Sequence, residues 1–281
     1  MERERDNGYL TPSWNVSGVR LAFAKFLESA PSLTTTHVSP RNFLSELKKM
    51  REDQSYRMCL MNGEYGQCHI KNGAPCLFVG DLPPEDTGEE GTSEVKDASR
   101  DDKNSVWSVF KQAVKIEAHS LIVFKGVWFA SRVEVTGSGP VFFNECLFGA
   151  ATHRSHRDAP SPAFASVHAS VGGLCAFSEC EFIHNCGSVG EAGGCEVPVL
   201  IGTGQTKLNV HNSSFFGSGI VSTAIMLSEN ALLEAENVSI TRCGSHSLVV
   251  SDTSSALVFR SVFSQSNGGI WVKNNGQLEI R

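Results

Sequence analysis

The chain has 281 residues, a formal net charge of −6, 26 glycines and only 19% charged residues, a composition that suits short strands and tight turns better than layers of helix. The acidic balance offers no general attraction to phosphate backbones and no basic stripe is visible, so a nucleic-acid partner is not expected. Nine cysteines in irregular spacing point to reduced thiols inside a cell rather than a disulfide framework, and no stretch is long and apolar enough to cross a bilayer.

The charged start, Met1-Glu-Arg-Glu-Arg-Asp6, leads into no apolar export region, so a cytoplasmic location is expected. The formal glycosylation sequons at Asn15, Asn212 and Asn237 are then chance matches. Residues 17–30 read as an amphipathic helix with Val19, Phe23, Phe26, Leu27 and Ala30 on one stripe. After Pro31 a second helix is expected, with Ser39 as N-cap, Pro40 in the first turn and Phe43, Leu44, Leu47 and Met50 on its apolar face. Residues 1–55 thus form a tail and helical cap, and residues 56–281 the body. Residues 81–105 hold nine acidic and three basic side chains among Gly, Pro and Ser, the composition of a disordered insertion. Two further insertions are expected: a basic tip at 150–163 with His153, Arg154, His156 and Arg157, and a Gly-rich stretch at 185–204 with Cys186 and Cys195.

Between and beyond these insertions one spacing recurs. A large apolar residue is followed three positions later by a small or β-branched one, and two after that by another large one: Phe124/Val127/Phe129, Phe143/Cys146/Phe148, Phe177/Cys180/Phe182, Val210/Ser213/Phe215, Ala235/Val238/Ile240 and Phe259/Val262, with a weaker Ser264. Period two is the mark of a strand buried on one face, and the step of three marks a bend where the inward set resumes. Alternating stretches precede these pairs, among them Val114-Lys-Ile116-Glu-Ala118, Val133-Glu-Val135, Ile225-Met-Leu227, Leu248-Val-Val250 and Ile270-Trp-Val272. A unit that buries its apolar side only by stacking on copies of itself is a solenoid. Three strands per turn make it an all-β, right-handed parallel β-helix with a short N-terminal helical cap, since parallel crossovers are overwhelmingly right-handed.

The entry to this body carries Leu60, Asn62, Gly63, Tyr65, Ile70, Leu77, Val79 and Gly80 in a strand, Asn-Gly-x-Tyr turn, strand and apolar run ending in Gly. With the later copies it resembles the first turn of pectin-lyase-like β-helix proteins over roughly residues 40–281. That resemblance implies the fold. Its intracellular members, such as proteins similar to the Shc SH2-domain-binding protein, imply a non-catalytic interaction scaffold, whereas its secreted members imply an enzyme or binding module acting on polysaccharide.

At the bend, Gly126, Glu145, Glu179, Asn212, Asn237 and Ser261 occupy the position before the small residue, where a left-handed backbone suits Gly and Asn. Glu145 and Glu179 fall one copy apart and are the acids to nominate for polysaccharide chemistry or binding. Cys146 and Cys180 fill inward positions as thiols, and the spacing of Cys180, His184, Cys186 and Cys195 matches no zinc knuckle, so no metal or cofactor is expected. No rung of the third strand sets paired acids beside a base, although His168 with Glu134 is the best local pair. Val123, Phe142, Ala176, Trp128, Leu147 and Phe263 are expected to point outward as an apolar strip, either covered by the N-terminal helices or the 105–112 segment or, through Phe142, Trp128 and Leu147, carrying contact with a protein partner. Leu278 and Ile280 begin a further copy that stops at Arg281, so either the protein continues or the open rung associates with itself or another partner.

Overall fold

A computed structural model describes residues 26, 33–51, 54–80, 108–149, 167–170, 172–184, 198–217 and 223–281. The helix expected over 17–30, Phe26 apart, the acidic insertion, the basic tip and Cys186 and Cys195 lie outside them. The chain divides into Met1–Leu33 and Thr34–Arg281, and the second unit is a parallel β-helix with three strands per coil. Its first sheet has ten strands: Thr34–Val38, Tyr56–Leu60, Cys76–Val79, Ile122–Lys125, Val141–Asn144, Leu174–Ser178, Lys207–His211, Leu232–Glu236, Ser255–Phe259 and Gln277–Ile280. The second has eight: Gly63–Tyr65, Ser108–Phe110, Trp128–Phe129, Leu147–Gly149, Glu181–His184, Ser214–Gly217, Ser239–Thr241 and Val262–Ser264. The third also has eight: Cys68–Asn72, Val114–Ala118, Val133–Gly137, Val167–Ala169, Leu200–Gly202, Ile225–Leu227, Leu248–Val250 and Ile270–Val272.

Each strand pairs in parallel with the equivalent strand of the next coil, so like residues stack at one height. On the first sheet Phe78, Phe124, Phe143, Phe177, Val210, Ala235, Val258 and Ile280 are in register. The second sheet aligns Tyr65, Phe110, Phe129, Phe148, Phe182, Phe215, Ile240 and Phe263. Phe124, Phe143 and Phe177 stack at 5.3 and 5.1 Å between centroids, and Phe148, Phe182 and Phe215 at 4.7 and 4.2 Å. The two columns meet edge-on, as at 5.3 Å between Phe143 and Phe148, so Phe124, Phe129, Phe143, Phe148, Phe177 and Phe182 each have a stacked neighbour and a T-shaped one.

The sixth copy of the spacing sits one residue earlier than expected. Val258, 1% exposed, takes the core position opposite Ala235, while Phe259 points outward beside Glu236 and is half-buried. The set is therefore Val258/Ser261/Phe263. Ser255 to Phe259 alternates equally well in either phase, and the larger Leu257 and Phe259 favour the wrong one, a one-residue slip that exchanges the faces of a strand.

The stretch expected as a cap contributes a strand as well as a helix. Thr34–Val38 pairs with Tyr56–Leu60, and the helix, α1, begins later than Ser39, at Phe43–Lys49 behind Asn42. Ser39 instead donates its backbone N–H and hydroxyl to Asn42 Oδ1, at 2.7 and 2.8 Å, which holds the turn before α1. Phe43 then seats over the column, 5.2 Å from Tyr65 and 5.5 Å from Phe110.

Candidate functional site

The corner between the first and second sheets repeats one backbone device. Gly126, Glu145, Glu179, Asn212, Asn237 and Arg260 have φ of 64°, 52°, 56°, 46°, 55° and 44°, the left-handed region that turns the chain without interrupting either sheet. Arg260 replaces the expected Ser261, following the slip above. Asn237 donates Nδ2 to Asn212 Oδ1 at 2.7 Å, forming an amide ladder between coils. Glu145 is held by Lys125 Nζ at 3.2 Å and by Asn144 Nδ2 at 2.9 Å. Glu145 and Glu179 are thus bend residues at one height on successive coils. Directly inside them Cys146 and Cys180 are each 1% exposed. Burial pushes the Cys180 thiol well above its usual range, which disfavours the reactive thiolate.

The apolar strip expected to meet a partner does not face solvent. Val123 is fully buried, and Phe142, Leu147 and Ala176 are each 7% exposed. Half-buried Trp128 donates its indole N–H to the Gly149 carbonyl at 2.7 Å. Alternation correctly places these five side chains off the core columns, but pointing off the columns and being exposed are separate properties; Phe263, also expected outward, instead follows Ile240 in the second column.

The outer face of the third sheet is partly exposed, although Val249 on it is buried. Register aligns His69, Lys115, Glu134, His168, Ile201, Met226, Val249 and Trp271 along a single line. Seven steps of about 4.8 Å make that line roughly 34 Å long. It changes character midway, from ionisable side chains to apolar ones. At the apolar end Trp271 is 46% exposed, with the His246 ring stacked at 5.0 Å and Lys273 Nζ 4.4 Å from its centroid. Gly268 makes that stack compact, since a Cβ there would meet His246 Cδ2 at 2.6 Å.

At the ionisable end Glu117 collects Lys71 Nζ at 2.9 Å, His119 Nε2 at 3.0 Å and His69 Nε2 at 3.2 Å. The Lys71 hydrogen bond, then that of His119, holds its carboxyl down at about 2. Glu134 and His168 are opposite one another as expected, but Glu134 is bound by Arg132 at 3.1 Å and His168 lies 3.3 Å from Thr203 Oγ1. Burial, then Arg132, lowers the His168 pKa below its ordinary value. Between α1 and this end of the sheet lies a cavity of about 600 Å³, whose lining includes Leu44, Leu47, Lys48, His69, Lys71, Lys115 and Glu134. Among the described residues no three His, Cys, Asp or Glu side chains are placed to hold a metal ion, and no helix is long and apolar enough to cross a membrane.

Lys115, Glu117, Glu134, His168, Val249 and Trp271 were readable as outward from their alternation. His69 and Lys71 were not singled out, although Cys68-His-Ile-Lys repeats the pattern of Val114-Lys-Ile-Glu and pairs with it. The acidic insertion between them hides the repeat. Lys48 joins them only through the position of α1.

The architecture defines a parallel β-helix protein. No family model and no curated protein matches the chain. Among solved structures it is similar to ORF18 of Geobacillus virus E2, at 8% identity and a TM-score of 0.35, covering 95% of this chain. The chain spans 65% of that structure's length.

Proposed function

We propose that the chain is a non-catalytic interaction scaffold of the pectin-lyase-like type, working inside the cell, whose third sheet receives an extended segment of a partner protein. The supporting observation is the ladder from His69 to Trp271: eight outward side chains in register, with a half-exposed apolar run, Ile201, Met226 and Trp271 around buried Val249. A rigid surface orders nothing of its own on binding, so the affinity it develops is not consumed by its own loss of freedom. An extended chain advancing about 3.3 Å per residue covers the ladder with roughly ten residues. Its apolar side chains belong on Met226 and Trp271, an aromatic anchor of the kind that concentrates binding energy. No disulfide joins the seven described cysteines to one another, which agrees with a reducing compartment.

Selection of a random peptide library on the purified chain tests this. Selected peptides are expected to carry aromatic or aliphatic residues toward one end and to cross-link to a photoreactive residue at position 226. Trp271→Ala is expected to weaken them about tenfold or more, the effect of losing an anchor worth about 2 kcal/mol. Peptides that bind equally well to Trp271→Ala, or cross-link only to other faces, refute the assignment.

A further inference from the structure

We propose that the cavity between α1 and the third sheet is a binding site for a phosphate monoester, with the dianionic head on Lys48 and Lys115 and the carbon body against Leu44 and Leu47. The charge balance of the lining carries the argument. Lys48, Lys71 and Lys115 face the cavity with His69, and the lining's carboxylate is Glu134. Glu134 is engaged by Arg132 at 3.1 Å, and the adjoining Glu117 by Lys71, His119 and His69. Among the described residues neither Lys48 nor Lys115 makes an ion pair, so two lysines line one cavity whose described carboxylate, Glu134, is held by Arg132. This happens in a chain of net charge −6, against the trend of its composition. Like charges held together raise the local potential, and a dianion relieves that better than a single carboxylate does. Lysine suits phosphate as a mobile point charge.

The remaining wall distinguishes an ester from bare phosphate. Leu44 is 51% exposed, and with Leu47 it lines the same cavity, so a carbon substituent has apolar surface to cover. A volume of about 600 Å³ falls within the range of small-molecule sites. The site requires nothing of Trp271 or of the apolar half of the ladder, so it stands or falls separately from the peptide reading.

Titration of the 281-residue chain with phenyl phosphate, inorganic phosphate and benzoate, followed by amide chemical shifts, tests the proposal. Phenyl phosphate is expected to saturate, to shift residues around Lys48, His69 and Lys115, and to bind more tightly than either control. Lys48→Gln with Lys115→Gln is expected to weaken it about tenfold or more, because both charged contacts to the dianion are lost. Both lysines are exposed, and an unchanged melting temperature verifies that the variant folds. Leu44→Ser is expected to weaken phenyl phosphate and leave inorganic phosphate unaffected. Tighter binding of a phosphoserine peptide than of phenyl phosphate assigns the ester to a phosphoprotein, and the reverse assigns it to a small molecule; either supports the site. Absence of saturation, affinity unchanged by the double substitution, or benzoate binding as well as phenyl phosphate overturns it.

Discussion

Glu117 shows how the solenoid assembles a charged cluster from residues distant in sequence. Strand pairing places Lys71 directly opposite it, His69 reaches across from the same neighbouring strand, and His119 follows two positions along its own chain. Lys71 and then His119 favour the ionised carboxylate. The folded pKa is about 2 against an ordinary 4.5, so on acidification the unfolded chain takes up this proton first. Stability supplied by Glu117 is therefore complete above about pH 4.5 and is lost as the pH falls toward 2. Carbon-detected titration of the Glu117 carboxyl is expected to give a midpoint well below the ordinary value, and Lys71→Met to move it upward. A midpoint at or above the ordinary value sinks the cluster as described. The outward direction of Glu117 was legible from Val114-Lys-Ile-Glu alone. Its partners were not, because pairing across residues 81–107 is a property of the coil rather than of local pattern.

Stacked strands bury far more than their alternation promises. The first two sheets share one apolar column of rings, and a position within it is worth much more than an identical residue outside it. Phe143 is 1% exposed and touches rings on both neighbouring coils and on the adjoining sheet. Truncating it to Ala is expected to cost about 3–5 kcal/mol through lost burial and the cavity left behind. Half-buried Phe259 stands outside the column, with the Arg281 guanidinium 5.7 Å from its ring. Phe259→Ala is expected to cost about 1 kcal/mol, the ordinary scale for a partly exposed site. Melting temperatures of the two variants decide the register: equal losses contradict the placement of Val258 in the core. From Phe124 to Phe182 the inward phase was readable from the sequence, because Phe recurs on both sides of each bend as Phe124/Phe129, Phe143/Phe148 and Phe177/Phe182. At Ser-Ala-Leu-Val-Phe259 both phases are apolar, and stacking on Leu233 and Ala235 decides between them. The spacing between coils imposes a second constraint that composition does not disclose. Gly149 has φ of 104°, and a Cβ there would lie 1.8 Å from the Ile183 carbonyl of the next coil, so this turn admits no side chain.

Across the second unit each coil is held by its immediate neighbours, which makes its stability a chain of nearest-neighbour terms rather than one central core. Those terms are unequal. The inward Val141, Phe143, Cys175 and Phe177 in the middle are at most 1% exposed, whereas the inward Val272 and Ile280 in the last described coil are 40% and 60% exposed. An outer coil has a stacked partner on one side, so opening it sacrifices one interface; opening a middle coil sacrifices two. Hydrogen exchange of this 281-residue chain is therefore expected to be graded along the axis, because local opening free energies follow buried apolar contact. Amides of Val262–Ser264, Ile270–Val272 and Gln277–Ile280 should exchange faster than those of Val141–Asn144 and Leu174–Ser178, although all five are paired strands. A ligand on the apolar half of the ladder should slow exchange at Ile270–Val272 in proportion to its binding, while a phosphate ester beside α1 should leave that strand unchanged. Uniform protection from one end to the other would mean that the coils unfold as a single cooperative block, and the nearest-neighbour account would fail.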